Sequence, residues 1–325
     1  MADWSAGSIT ALVKTAYNLY ADNALRPELY FVNVAKVEPS RLAMPGSVHA
    51  FTFYPELPAI TSALSDEVSD PTFVTVTPDN SKTVTLVEYG NAARSTRKFR
   101  GTAYVPAVDR DIAELIGWNA GLSQDTLART TLVGGSNVAY GGSATSTTTI
   151  AAASTLTGAK ARYVTAKLRG NNAKGFGDMG AGDGYVGFIH PDVSVDLRAE
   201  TGAGGWAEAA NNSNPAVERR WNGVIGKYEG IYWIETPRCP ISTDASNGSG
   251  TTGTVDVYST IVVGKEAIAF SHSADIGKTP EFVMGPTIDA LRRNHIFGWY
   301  WLGGFCRYRE EALYRIETSS SIGSN

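Results

Sequence analysis

Residues 107–133 read AVDRDIAELIGWNAGLSQDTLARTTLV, and the fold turns on how this stretch is understood. Apolar side chains at Ile112, Leu115, Ile116, Leu122, Leu127 and Leu132 recur near the period of an α-helix. Asp109 stands where an N-cap acceptor is wanted, and Gly134-Gly135 supplies a stop. The spacing predicts one long helix with Leu115 and Ile116 in its buried stripe, weakened from within by Gly117 and Gly121.

Toward the N-terminus, GSVHAFTFYPELPA (46–59) opens with alternating residues and KTVTLVEYG (82–90) returns as a second strand. The intervening loop of about 25 residues is far longer than the usual hairpin connection of two to five. It holds Leu57, Ile60, Leu64, Phe73 and Val74, too apolar for free solvent, so it is expected to lie on another surface. Residues 56–81 carry Glu56, Asp66, Glu67, Asp70 and Asp79 and no Lys or Arg, whereas Arg94, Arg97, Lys98 and Arg100 crowd the next strand. On that strand Arg94, Lys98 and Arg100 would share one face by the period of two. Before the hairpin, residues 1–45 combine a short helical stretch (Ile9, Leu12, Val13, Ala16, Tyr17, Tyr20) with an extended tail around Pro27, Pro39 and Pro45, which reads as an arm.

Toward the C-terminus, a Ser/Thr/Ala/Gly stretch (141–154) leads to a helix from about Thr155 to Arg169. Strand GYVGFIH (184–190) then passes into helix PDVSVDLRA. Single strands are expected at 224–236 and 254–264, followed by an aromatic-rich closing segment at 297–318. The pattern is α+β, with neither βαβ alternation nor an internal repeat. The polar tail ETSSSIGSN would be free unless a partner held it.

Composition narrows the function. The chain has 325 residues, 43% of them hydrophobic, which supports one large core or two modest ones and rules out disorder as the main state. Charged residues are only 18%, against roughly 25% in ordinary soluble domains. A net charge of −4 gives no global drive toward nucleic acid. Cys239 and Cys306 with four scattered histidines do not make a zinc cluster. With no apolar run near 18 residues and no signal peptide, the chain reads as soluble and made in the cytosol, so the sequons at Asn211 and Asn247 are chance matches.

The chemical motifs are incomplete. Gly175 to Gly180 matches GxGxxG as text, but it follows a helix and leads into a strand, the reverse of the dinucleotide arrangement, and so reads as a flexible loop. Gly277-Lys278-Thr279 resembles the end of a phosphate-binding loop whose first glycine is replaced by His272. His190 with Asp192, or His49 with Glu56, lacks a nucleophile in an elbow sequence. Lys160, Arg162, Lys167 and Arg169 make the second helix basic, a pattern read as a solvated face in preference to a nucleic-acid patch. No catalytic, cofactor or metal residue is assigned.

Six segments carry a resemblance. VTLVEYGNAARSTR (84–97), TLARTTLVGGSNVAYGGSAT (126–145), LRGNNAKGFG with YVGFIHPDVSVDLR (168–198), WNGVIGKYEGIYWIET (221–236), VYSTIVVGKEA (257–267) and EEALYRIET (310–318) are, in this order, similar to the major capsid proteins of tailed double-stranded DNA phages, most closely the N-four-like subfamily.

The resemblance implies the Hong Kong 97-type capsid fold. Its parts would be an N-terminal arm (1–45), an extended loop (46–83), a peripheral domain (84–155) with a spine helix at 107–133, a mainly axial domain (156–296), and a C-terminal strand segment (297–325) returning to the peripheral domain. It further implies hexamers and pentamers of this chain in an icosahedral head around double-stranded DNA, without sequence-specific contact and without a membrane. A scaffold protein, a portal and decoration proteins are the other partners implied, and the virion is the destination after synthesis in the host cytoplasm. No long segment precedes the arm, so a separate scaffold and an uncleaved arm are expected. The alternative is an encapsulin-like nanocompartment shell of the same fold. The inter-subunit contact is assigned to Glu56, Leu57, Leu64, Asp66, Glu67 and Phe73 of the loop, settling on Arg94, Lys98 and Arg100 of a neighbour. Residues 46–81 lack the lysine that an isopeptide cross-link would need.

Overall fold

Two sheets share the interior, and one long helix spans both. The computed structural model describes residues 30–39, 47–54, 57–61, 73–102, 108–177, 184–200, 224–285, 291 and 293–323. In chain order the first elements are β1 (Lys36–Pro39), β2 (Val48–Phe53), β3 (Asp79–Thr85), β4 (Val87–Thr96), α1 (Arg97–Thr102), α2 (Val108–Val133) and β5 (Val138–Tyr140). There follow α3 (Gly158–Gly170), β6 (Tyr185–Ile189), α4 (Pro191–Ala199), β7 (Val224–Tyr228), β8 (Ile231–Glu235) and β9 (Ile241–Ser246). The chain closes with β10 (Val255–Val263), β11 (Ile268–His272), β12 (Glu281–Gly285), β13 (Asn294–Arg307) and β14 (Leu313–Thr318). The arm helix expected at 9–20 lies outside the described residues.

The first sheet has the order β1-β11-β13-β12, with β4 also paired to β13 over a ten-residue antiparallel register from Val87↔Gly303 to Thr96↔Asn294. Its long strand β13 obeys the period of two: Phe297, Trp299 and Trp301 are buried on one face. The second sheet has the order β5-β14-β10-β6-β8-β7, with β9 against β10. Every residue of β6 and β10 is buried, which fits their near-continuous apolar runs. Helices α3 and α4 cover this sheet through Ala161, Val164, Leu168, Val193 and Leu197.

Helix α2 is continuous from Val108 to Val133, and of the stripe that its large apolar residues predict, Ile116 and Leu132 are buried, Ile112, Leu122 and Leu127 are partly buried, and Leu115 is exposed. Its buried positions are Ala113, Ile116, Gly117, Ala120, Gly121, Gln124, Asp125, Ala128 and Leu132, a run of mostly small residues at spacings of three and four. Small side chains let the helix backbone approach the aromatic layer of Phe270, Phe282, Trp299 and Trp301, which supplies the volume instead. Leu115 points away and is 66% exposed, correcting its expected burial, while Ile116 is buried as expected. Farther along, Ala128 and Leu132 pack with Val186, Phe188, Ile261, Val263 and Leu313 of the second sheet.

Other expectations change in instructive ways. The stretch 224–236 is a hairpin, because Glu229 and Gly230 both adopt positive φ (52° and 79°) in a two-residue turn between Tyr228 and Ile231. The closing segment 297–318 divides between the sheets, β13 in the first and β14 beside β10 and β5 in the second. Residues 30–39 of the arm are part of the body: Phe31, Val32 and Val34 are buried, Phe31 lies 4.6 Å from Phe188, and β1 adds in parallel to β11. The polar tail is held by its own chain. Ser319 and Ser320 are fully buried and donate hydroxyl hydrogen bonds of 3.0 Å to the carbonyls of Ala152 and Asp192, and the Ser321 amide donates to Asp196.

Candidate assembly surface

Strands β2 and β3 pair in antiparallel fashion from Val48↔Thr85 to Phe53↔Asp79, so the hairpin encloses residues 54–78. Its root is fastened to the body. Phe51 and Val84 are buried with Ala269 and Tyr308, the Phe51 and Tyr308 rings lie 5.4 Å apart, and the His49 Nδ1 meets the Ser271 Oγ at 2.7 Å. A Cβ on Gly304 would stand 2.5 Å from the Thr85 carbonyl, so only glycine lets β13 pass this close to the root.

Beyond the root the hairpin presents its apolar residues to solvent. Tyr54 is 63% exposed, Ile60 76% and Phe73 86%, and Leu57, Val74 and Val76 are about half exposed. Leaving this much apolar surface uncovered is costly, and contiguous apolar patches of this kind mark sites where another molecule settles. Glu56, Leu64, Asp66, Glu67 and Asp70 lie outside the described residues.

The basic partners do not form one strand face. Arg94 is exposed on β4, opposite Ile296. The strand ends at Thr96, whose Oγ1 accepts the Phe99 N–H at 3.2 Å, and this N-cap turns Arg97–Thr102 into α1. Lys98 and Arg100 therefore stand two positions apart on a helix, on different sides. Lys98 is exposed, whereas Arg100 is drawn to Asp109 at 3.3 Å, a carboxylate that also meets His295 Nδ1 at 3.3 Å. Thr96, three residues before Phe99, was the sequence signal for this cap. Sequence reasoning also missed the exposed apolar residues nearby, Phe99 (53%) on α1 and Leu115 and Trp118 on the outer side of α2.

Groups with chemical potential elsewhere are engaged structurally. His190 Nδ1 accepts the Asp192 N–H at 3.2 Å and caps α4, and burial holds its imidazole below the usual pKa against the opposing pull of Asp192 and Glu235. Burial pushes the Cys239 thiol far up and the Cys306 thiol up to about 11, so neither forms a thiolate near neutral pH. Lys174–Gly177 runs from α3 toward β6, in helix-to-strand order, with 178–183 outside the described residues. Gly277-Lys278-Thr279 lies between β11 and β12, with no helix beginning on it. Among the described residues no group of three His, Cys, Asp or Glu side chains converges as a metal site, and no described helix is long and apolar enough to cross a membrane.

A two-sheet body bridged by a long helix, with a projecting apolar hairpin, is the architecture of a Hong Kong 97-type shell subunit. The sequence profile of the phage capsid protein family matches residues 75–319, and the chain belongs to that family. It is the major capsid protein from which a phage head is built. The capsid of Ralstonia phage GP4 superposes with a TM-score of 0.69 at 16% identity, covering 90% of this chain and 89% of that one. The capsid of cyanophage Pam1 gives 0.66 at 15% identity, with 92% and 93% covered. The acid-stable capsid of the Helicobacter pylori phage KHP30 gives 0.57 at 14%, with 88% and 87% covered. Among curated proteins none matches in sequence.

Proposed function

We propose that this capsid protein assembles as hexamers and pentamers into an icosahedral head around the double-stranded DNA of a tailed phage of the N-four-like subfamily, and that it does so without enzymatic activity. The observation that carries this reading is the hairpin, whose exposed Tyr54, Leu57, Ile60 and Phe73 gain burial only against another molecule. The subunit would be divided as arm 1–45, extended loop 46–83, peripheral domain 84–155, axial domain 156–296 and returning segment 297–325. A scaffold protein, a portal and decoration proteins would join it during assembly in the host cytoplasm. The inter-subunit contact would pair Glu56, Leu57, Leu64, Asp66, Glu67 and Phe73 with Arg94 and Lys98 of a neighbour, whereas Arg100, expected in the same contact, is held by Asp109 of its own chain. Exposed ion pairs contribute only about 0 to 1 kcal/mol each, so the charges would set register while apolar burial sets strength.

Purified particles test the reading. Nuclease-protected genomic DNA inside them is expected, and protein cargo in its place would favour an encapsulin-like shell. Reversing Arg94 and Lys98 to Glu should slow or misdirect assembly, and adding Asp66→Lys and Glu67→Lys should partly restore it. Normal assembly of the first double variant would remove the charge-pairing element. Boiled particles should run near 34.6 kDa in a denaturing gel, since a covalent cross-link is not expected.

A further inference from the structure

Strand β4 pairs with β13 on one side, and among the described residues no strand is paired along its other side. The Arg97 N–H bonds the Arg293 carbonyl at 2.6 Å, so by alternation the odd-numbered residues of β4 bond β13 and the even-numbered ones turn their backbone groups outward. The Ala92 N–H fits this parity, since it borrows the side-chain oxygen of Asn91 at 2.9 Å. The open edge has two ends. Leu86 gives its N–H to the Ser47 carbonyl at 2.7 Å, and Thr96 caps α1, so the edge runs from Glu88 to Arg94 with Asn91 at its centre. It carries no proline, bulge or lysine, devices that keep an edge strand from pairing. Its only charges are Glu88 and Arg94, opposite in sign and equally far from Asn91. Glu88, Gly90, Ala92 and Arg94 are exposed; the Tyr300 hydroxyl donates to Glu88, and among the described residues no carboxylate pairs with Arg94.

We propose that two copies of this chain join edge to edge along β4, antiparallel about a two-fold axis at Asn91, fusing their first sheets into one. The inference deepens the shell-forming reading above and rests on it. The sequence of the edge is its own complement. In this register Glu88 of each copy stands opposite Arg94 of the other and Gly90 opposite Ala92, so both charges pair and no bulky side chain obstructs the ladder. All four residues have the outward parity, so their amides and carbonyls bond across the axis, and the Gly90 carbonyl of the second copy replaces Asn91 on the Ala92 N–H. A slip of two residues would part both charge pairs. The axis also keeps both α2 helices on one side of the joined sheet. Asn119 of α2 bonds Asn91 at 3.1 Å, and Leu115, one turn earlier on that flank, is 66% exposed. Pairing brings the two flanks toward each other and gives Leu115 a cover that it lacks in the single subunit. Another protein would need this same charge pattern at this spacing, whereas a second copy carries it by construction.

Two measurements on assembled particles of the full chain test it. At the axis Asn91 meets Asn91 of the second copy in a non-hydrogen-bonded pair, where the Cα atoms lie about 4.5 Å apart, within disulfide reach. In a Cys306→Ser background, Asn91→Cys particles under mild oxidation should give a band at twice 34.6 kDa on a non-reducing gel. Val87→Cys in the same background is the control and should stay monomeric, because two copies of Val87 would stand about 27 Å apart. Separately, Arg94→Glu sets like charges opposite each other and should raise the subunit concentration needed for assembly by about tenfold, with the melting of the unassembled subunit unchanged. Adding Glu88→Arg exchanges the two signs and should return assembly to within about twofold of wild type. Rescue by Asp66→Lys and Glu67→Lys, with none by Glu88→Arg, would overturn the proposal and leave Arg94 to the hairpin contact. So would closed particles in which Asn91→Cys stays monomeric, or in which Val87→Cys dimerises equally. A wild-type chain that builds no closed particle would instead sink the shell-forming reading itself.

Discussion

Asp125, fully buried in the second half of α2, lies 2.9 Å from Arg238 in the loop after β8, and its other oxygen accepts the Phe31 amide at 2.7 Å. One carboxylate thus ties together the arm base, the long helix and the second sheet. Burial pushes its carboxyl up, while the Phe31 amide, the Arg238 charge and the amides of Tyr30 and Val32 oppose that rise. Arg238 in turn reaches the Leu122 carbonyl at 3.3 Å, and Arg129 donates to the Arg238 carbonyl at 2.7 Å.

Removing the carboxylate should be severe. Asp125→Ala deprives the Arg238 charge of its partner and the Phe31 amide of its acceptor, which costs about 3 to 5 kcal/mol. Denaturant melts of the unassembled subunit should show the loss, and Asp125→Ala with Arg238→Met should recover part of it. A single variant as stable as wild type would show that the knot carries no energy.

The two neighbours on α2 should behave oppositely. Ile116→Ala removes a side chain packed on the aromatic layer and should cost about 2 to 5 kcal/mol in the isolated subunit. Leu115→Ala should change subunit stability by no more than about 0.5 kcal/mol, because the side chain is exposed. Its effect, if Leu115 meets a neighbour, should appear in assembly yield measured by sedimentation.

His190 predicts a pH dependence. Its folded pKa is held below the ordinary 6.5, so between those two values the unfolded chain binds more protons than the folded one. Stability from this group is complete above pH 6.5 and is lost as pH falls through that window, levelling off below the folded pKa. His190→Asn keeps an N-cap acceptor without a titrating ring and should flatten that part of the stability profile.

The tail should be a stabilising strap. Deleting residues 319–325 removes the buried hydrogen bonds of Ser319 and Ser320, each worth about 0.5 to 1.5 kcal/mol. The melting temperature should fall by roughly 5 °C. Carboxypeptidase should also trim the native chain slowly. Rapid digestion back to Thr318 without loss of stability would show the tail to be loosely held.

The elements that repeat a local pattern were legible in the sequence. Helix α2, strand β10 and helix α4 were readable from local pattern, and the hairpin from its two alternating strands, although Asp109, expected to cap α2, stands inside the helix and pairs with Arg100 and His295. What stayed hidden depended on partners remote in the chain. Counting large apolar residues on α2 favours Leu115, yet the sheet selects Ala113, Gly117 and Ala120, because bulky Trp299 and Trp301 already fill the gap. Nothing local to Asp125 tells that Phe31 and Arg238 converge on it. The hairpin was readable as a surface that needs cover, but the end of β4 was not, since the single Thr96 cap converts RKFR from strand to helix.

Only Leu86 separates β3 from β4, so the projecting hairpin continues almost directly into the ten-residue ladder with β13. A pull along the hairpin, such as a pressurised shell would exert through a neighbour, therefore acts lengthwise on that ladder. Its hydrogen bonds lie across the strands and would be strained together instead of parting one after another. The subunit should consequently resist tension along this strand far better than peeling at its end, a mechanical anisotropy set by how directly the hairpin leads into the ladder.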